Sequence, residues 1–328
     1  MSIVGDEMTS MMLGGTSRRV SRLGLGAVVW GDMSTVPRWN SQRIVYGPTS
    51  SADEQREALR ASLAAGVNLI DTAPIYAKGA SERRVGELTR GTDIMVATKF
   101  PMRYVSRAGH LPVALDNSLS RLERTAIDLY QVHFPLPWMS IPTVMNFMTD
   151  AFKAGKIRAV GVSNYSADQM RIAHDALARR GITLASNQVQ YSLLHRKPEA
   201  DGVLDACRDL GMTLIAYFPL ASGALTGKYS ATERPPGLRR YMKQFRRKNA
   251  TMLARVVGLL REIGSGHGRT PSQIALRWLI QQENVLPIPG AMNGDQAAQN
   301  AGALHFTLSE SECQALDTAT RVQFERGR

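Results

Sequence analysis

Cysteine is nearly missing: two residues, Cys207 and Cys313, stand in a chain of 328. A disulfide framework and a cysteine-based zinc site are thereby excluded, and a reducing, cytoplasmic setting is the expectation. Long apolar runs are missing too. None approaches the roughly 18–20 residues that span a bilayer, so no membrane partner is expected. Residues 1–20 lack the apolar core of a secretory signal, and Asp6 and Glu7 come too early for a transit peptide. Histidines and carboxylates show no metal-ligand spacing, so no metal is expected. The G-x-G-x-x-G turn of a doubly wound nucleotide fold is absent, because Gly24-Leu25-Gly26 runs on into Ala27, Val28 and Val29. Lysine is scarce, with eight against thirty-two arginines.

What is present is a basic chain with enough apolar residues for a large core. The net charge is +12 and 44% of residues are hydrophobic. Such a balance favours an anionic ligand, and arginine suits flat, bidentate anion binding. Short β-branched runs occupy 23–30, 68–72, 94–99, 129–134, 159–163, 185–191, 213–218 and 285–289. Most are continuously apolar, as parallel strands covered on both faces are. Helical patterns lie between them at 53–65, 81–90, 111–124, 141–153, 166–180, 198–210, 250–263 and 271–282, with Ser or Asp at several starts and Gly at several stops. Eight βα units predict a single-domain (β/α)8 TIM barrel over residues 1–328, with no Rossmann fold. Residues 1–12 are expected to be a flexible leader. A long basic connection covers 231–249, and within it residues 234–248 carry seven basic side chains and no acid. Its readings are a solvated loop or an anion clasp. Only Tyr241 and Phe245 are interleaved aromatics, so no nucleic acid partner is expected.

Chemistry in such a barrel sits at the C-terminal strand ends. Those ends carry Asp71, with Tyr76 five residues on, then Lys99, His133, Ser163-Asn164, Asn187-Gln188 and Tyr217. An ammonium ending an apolar run needs a partner, and Asp71 on the adjacent strand is the well-placed carboxylate. A cation beside the Tyr76 hydroxyl is expected to lower its pKa and make it a proton donor near neutral pH. Singly, each residue has a plain structural reading: a loop cap, half-buried packing, a lysine reaching to solvent, a hydrogen-bonded core histidine. Their convergence on one rim favours a catalytic set.

With these residues in place, the sequence resembles the aldo-keto reductase family, within it the plant plastid and bacterial subgroup, from about Leu13 to Ala319. The stretches NLIDTAPIYAKGASERRVGEL, MVATKF, SLSRLERTAIDLYQVHFP, IRAVGVSNYS and PIPGAMNGDQAAQN carry the likeness. It implies Tyr76 as general acid, Lys99 paired with Asp71 and tuning Tyr76, and His133 orienting a carbonyl. It implies a bound NADP(H), with NAD(H) as the alternative. Ser163, Asn164 and Gln188 would hold the carboxamide and Tyr217 would stack on the nicotinamide. Leu220, Ser222, Gly223 and Leu225 would wrap the pyrophosphate, and Gly290, Gln296 and Asn300 would surround the adenosine. Gly290 and Gln296 replace a lysine and an arginine that many members place on the 2′-phosphate, and Arg239 or Arg240 is the candidate substitute. Trp30, Phe100, Phe134 and Trp138 would wall a pocket for a small-molecule carbonyl, overhung by Trp39 and Tyr46 in the irregular segment 34–50. The function implied is carbonyl reduction to an alcohol. The alternatives are a pathway-specific reductase of a sugar-like, pyridoxal-like or natural-product carbonyl, and a redox-sensing subunit of a larger assembly. The oligomeric state stays open.

Overall fold

The computed structural model describes residues 8–32, 34, 50–100, 109–230, 233–235 and 237–325; Trp39 and Tyr46 lie outside them. A hairpin opens the described chain, with β1 (Ser10–Met12) antiparallel to β2 (Arg19–Ser21). Residues 10–12 are therefore not the end of a flexible leader. Met11, Leu13 and Val20 pack beneath the barrel interior, and this apolar contact holds the strand.

Eight parallel strands follow in chain order: β3 (Leu25–Gly26), β4 (Leu69–Asp71), β5 (Met95–Phe100), β6 (Leu129–Val132), β7 (Val160–Ser163), β8 (Leu184–Gln190), β9 (Thr213–Tyr217) and β10 (Val285–Pro287). The seam closes where Gly24 N–H donates to Pro287 O and Gly26 N–H to Pro289 O, both at 2.9 Å. A Cβ on Gly26 would meet the Ile288 carbonyl oxygen at 2.8 Å, so only glycine permits this approach. The result is a single-domain (β/α)8 barrel. The run 23–30 contributes only two strand residues, because Trp30 N–H turns back to Ala27 O at 3.0 Å.

The helices begin where the sequence supplies caps. Ser51 with Glu54, Ser166 with Gln169 and Thr270 with Gln273 form capping boxes on α1 (Ala52–Ala64), α5 (Ala167–Ala178) and α9 (Pro271–Ile280). Between the first two lie α2 (Ala80–Leu88), α3 (His110–Leu122) and α4 (Ile141–Lys153). The helix expected at 198–210 is two pieces, α6 (Lys197–Ala200) and α7 (Val203–Asp209), parted by Gly202 at φ 74°. The helix α8 (Ala250–His267) precedes α9. Two more, α10 (Gly294–Ala301) and α11 (Glu310–Glu325), follow the last strand and were not among the expected elements.

Strand pleat divides the core in two. Ile70, Val96, Tyr130 and Leu214 pack outward under the helices. Their neighbours Leu69, Ala97, Leu129 and Ile215 pack with Leu286 inside the barrel. Alternation of this kind is forced by the two-residue repeat of a strand. It also decides which polar residues face inward farther up.

Candidate active site

Asp71 lies two residues beyond Leu69, Lys99 two beyond Ala97, and Gln131 and His133 two and four beyond Leu129. The same pleat therefore carries them inward above the apolar floor. Asp71 is 3% exposed and Lys99 fully buried. Lys99 Nζ donates to Asp71 Oδ1 at 2.5 Å and to Thr72 O at 2.8 Å. The other carboxylate oxygen accepts from Gln131 Nε2 at 3.1 Å and Gln188 Nε2 at 2.9 Å. Burial pulls the Lys99 pKa down, while the charge and hydrogen bond of Asp71 oppose it. A buried pair survives only when its remaining polar valences are met, and here both amides serve the carboxylate. Gly161 makes room for this layer: a Cβ there would meet Ser186 Oγ at 2.6 Å and Gln131 Cγ at 2.9 Å.

Tyr76 opens the turn Tyr76–Gly79. Lys99 Nζ lies 5.2 Å from its ring centroid, and the His133 ring stands edge-on to it at 6.1 Å. Burial, and then the Asp71 carboxylate, raise the Tyr76 pKa well above the ordinary phenol value. This corrects the expected lowering by Lys99: the ammonium is already compensated by Asp71, and desolvation opposes a phenolate. The phenol is thus protonated at neutral pH. His133 is driven down to about 3, first by burial and then by Lys99, so its imidazole is neutral. Its Nδ1 is buried without a hydrogen-bond partner among the described residues.

These groups open into a cavity of about 1240 Å³ at the C-terminal strand ends. Ser163, Asn164, Gln188 and Tyr217 line it. Tyr217 Oη donates to Asn164 Oδ1 at 3.0 Å, Asn164 Nδ2 to Ser163 Oγ at 3.0 Å, and Ser163 Oγ to Gln188 O at 2.8 Å. Asn164 takes φ 61°, which asparagine tolerates better than most residues. Leu220, Ser222 and Gly223 line the cavity where Ala221, Ser222 and Gly223 run at φ 50°, 58° and 93°. The turn closes on itself, with Ala221 N–H given to Phe218 O at 2.9 Å and Gly223 N–H to Leu220 O at 3.0 Å. Leu225 does not belong with them. It is fully buried in the core, and its N–H is given to Leu220 O. Gly290, Gln296 and Asn300 line the far wall, and Asn300 Nδ2 donates to Gly290 O at 3.2 Å.

The aromatic wall is only partly where the sequence put it. Phe134 lines the cavity, 40% exposed, stacked on His133 at 5.0 Å. Phe100 follows the inward Lys99, so it points outward and packs on Tyr130 and Phe147. Trp30 is fully buried, with Nε1 donating to Ala291 O at 2.8 Å. Trp138 is half exposed and outside the cavity lining. Val28, Val29, Ile75 and Met292 supply the apolar wall instead.

Other residues went unread. Gln131 had a signal, a lone amide inside the apolar strand LYQV. Lys78 and Lys228 line the cavity without one. The basic loop is folded rather than loose, in single turns at Gly237–Tyr241, Lys243–Phe245 and Arg247–Asn249. Phe245 is buried against Tyr229, and Gln244 Nε2 donates to Ala221 O at 3.0 Å, tying the loop to the 221–223 turn. Arg239 of this loop lines the cavity, with its Nε buried and unpartnered, whereas Arg240 is exposed over Tyr241. Among the described residues, no group of His, Cys, Asp and Glu is arranged to hold a metal.

The barrel and the residues at its mouth are shared with known proteins. The Aldo/keto reductase family profile matches residues 23–321, and the chain belongs to that family. It is 36% identical over 312 residues to an uncharacterized oxidoreductase of Mycobacterium tuberculosis, covering 93% of this chain and 90% of that one. It is 33% identical over 322 residues to the chloroplastic pyridoxal reductase of Arabidopsis thaliana, covering 92% and 84%. The solved glycerol dehydrogenase of Gluconobacter oxydans superposes with a TM-score of 0.82 at 28% identity, covering 95% of each chain.

Proposed function

We propose that this protein reduces the carbonyl of a small aldehyde or ketone to an alcohol using NADP(H), with Tyr76 as the proton donor. The observation that carries the reading is Tyr76 itself: a half-buried, protonated phenol lining one cavity with Asp71 and neutral His133, the Lys99 ammonium 5.2 Å from its ring centroid. The cavity suits a dinucleotide. It has the volume, a left-handed turn with Ser222 and Gly223 on its wall, amide groups at Asn164 and Gln188, and an arginine with a buried, unpaired donor.

When bound, the nicotinamide supplies the hydride. The chain does the rest. Tyr76 Oη gives its proton to the carbonyl oxygen as negative charge builds there. The phenolate left behind has the Lys99 ammonium over its ring, and Asp71, Gln131 and Gln188 keep that ammonium in place. His133, neutral, offers its N–H to the same oxygen and fixes its direction. Arg239 takes the anionic end of the cofactor in place of the positions now held by Gly290 and Gln296, which favours NADP(H) over NAD(H).

Two cysteines, one of them fully buried, suit a reducing compartment, and we place the protein in the cytoplasm. No helix among the described residues is long and apolar enough to cross a membrane. Tyr76→Phe should cut turnover by roughly a hundredfold or more and leave NADPH affinity, read by fluorescence quenching, within about twofold. Near-normal turnover on a panel that includes pyridoxal and glyceraldehyde would overturn the role given to Tyr76.

A further inference from the structure

The charges on the cavity wall do not balance. Asp71, Lys78, Lys228 and Arg239 are its Asp, Glu, Lys and Arg members, and Asp71 is already spent on Lys99. Lys78 is the one beside the reacting groups. It stands two residues past Tyr76, which puts the two Cα atoms within about 7 Å. Its side chain is exposed and makes no ion pair or hydrogen bond among the described residues. Of the nearby acids, Asp32, next to the Gly31 that abuts Ala80, accepts from Ser34 N–H at 2.8 Å. Asp71 has both oxygens engaged, and Glu82 accepts from Thr98 Oγ1 at 2.7 Å and Arg121 Nε at 2.6 Å.

The turn that carries Lys78 is also costly. Ala77 and Lys78 sit at φ 47° and 53°, a region that glycine or asparagine takes more easily. The segment is pinned from below, where Ser81 Oγ donates to Ala27 O at 2.7 Å and pairs with Thr72 Oγ1 at 2.8 Å. A lysine kept in left-handed backbone on an anchored turn, facing an open cavity, is a feature of the site.

We infer that Lys78 selects the substrate: the cavity takes a carbonyl compound bearing a carboxylate or phosphate, and the Lys78 ammonium pairs with that acid. This rests on the carbonyl-reductase reading above. Lys228 lies just past the 221–223 turn and Arg239 on the loop tied to it, the side of the cavity given to the cofactor in the reading above. That leaves Lys78 for the substrate. The cavity also has apolar lining, with Val28, Val29, Ile75 and Phe134, which suits a short carbon chain between the two polar ends.

The test compares matched aldehydes with NADPH: succinic semialdehyde against butyraldehyde, and glyceraldehyde 3-phosphate against glyceraldehyde. The parent protein should favour at least one acidic member by about tenfold or more in kcat/KM, and which pair shows it distinguishes carboxylate from phosphate. Lys78→Met should cost that acidic substrate about tenfold, chiefly in KM, and its neutral partner far less. Lys78→Arg should restore the preference and Lys78→Glu should reverse it. If the preferred acid is a carboxylate, titration with unreactive succinate should show binding to the parent that Lys78→Met loses; for a phosphate, glycerol 3-phosphate serves. Equal kcat/KM within both pairs, or equal losses on both members in Lys78→Met, would overturn the inference while leaving the reductase reading intact. If none of the four aldehydes is reduced, the proposed function falls and this inference with it.

Discussion

Asp71 and Asp128 are equally buried, each 3% exposed, at opposite ends of the barrel strands. Asp128 stands just before β6 and accepts from Arg18 at 2.8 Å, Arg158 at 3.0 Å, Arg124 at 3.3 Å and the Val96 N–H at 3.0 Å. Its three arginines come from the hairpin turn, the end of α3 and the start of β7, so this carboxylate ties separate segments together. None of those partners reaches the cavity. Asp71 has one ammonium and two neutral amides, and it lines the cavity. A buried charge is therefore no mark of a site by itself. Surplus countercharge at the closed end makes an anchor. At the open end, a pair compensated just to neutrality leaves a phenol and an imidazole uncharged beside it.

The sharpest way to test that contrast is to break both carboxylate clusters. Lys99→Met should reduce turnover by roughly a hundredfold or more, and it leaves Asp71 without a cation at a cost of about 3–5 kcal/mol. Asp128→Asn should also destabilise, by about 1–3 kcal/mol in urea unfolding, yet keep turnover per folded molecule within about twofold. Loss of activity in folded Asp128→Asn would collapse the distinction.

The next effect is in pH. The folded protein holds His133 neutral down to about pH 3, whereas an unfolded chain protonates it below its ordinary value of 6.5. Between those limits the unfolded state binds the extra proton, so acid favours unfolding. The contribution is complete above pH 6.5 and falls by roughly 1.4 kcal/mol per pH unit toward pH 3. Urea unfolding of His133→Asn at pH 4.5, 5.5 and 7 should show a shallower decline than the parent. A parallel decline would mean that His133 is not held neutral.

The smallest effect separates the arginines. Those on Asp128 are in ion pairs, although Arg18 too keeps its Nε unpartnered, while Arg239 makes no ion pair among the described residues and lines the cavity. Arg239→Ala should weaken NADPH binding about tenfold and NADH binding much less. Equal weakening of both would move Arg239 away from the extra phosphate.

Much of this was legible from residues alone. Eight apolar runs and their capped helices mark the barrel, and counting along strands β4, β5 and β6 puts Asp71, Lys99 and His133 on one rim. The misplacements have identifiable causes. Phe100 adjoins Lys99, and neighbours in a strand face opposite sides, so an inward lysine sends the phenyl ring outward. Trp30 and Leu225 lie in turns, where no repeat predicts which way a side chain or an N–H points. Lys78 had no pattern at all, because its left-handed backbone depends on how α2 seats against the strands.

The amino-acid order alone determined the βα alternation, the inward or outward facing of strand residues and the identity of the polar groups at the strand ends, because these follow from local repeats of two and 3.6 residues. Only the tertiary structure decided the charge states. Whether Tyr76 holds its proton, whether His133 is neutral and whether Lys78 or Arg239 finds a countercharge depend on desolvation and on partners from distant strands, and those terms exist only once the barrel has closed.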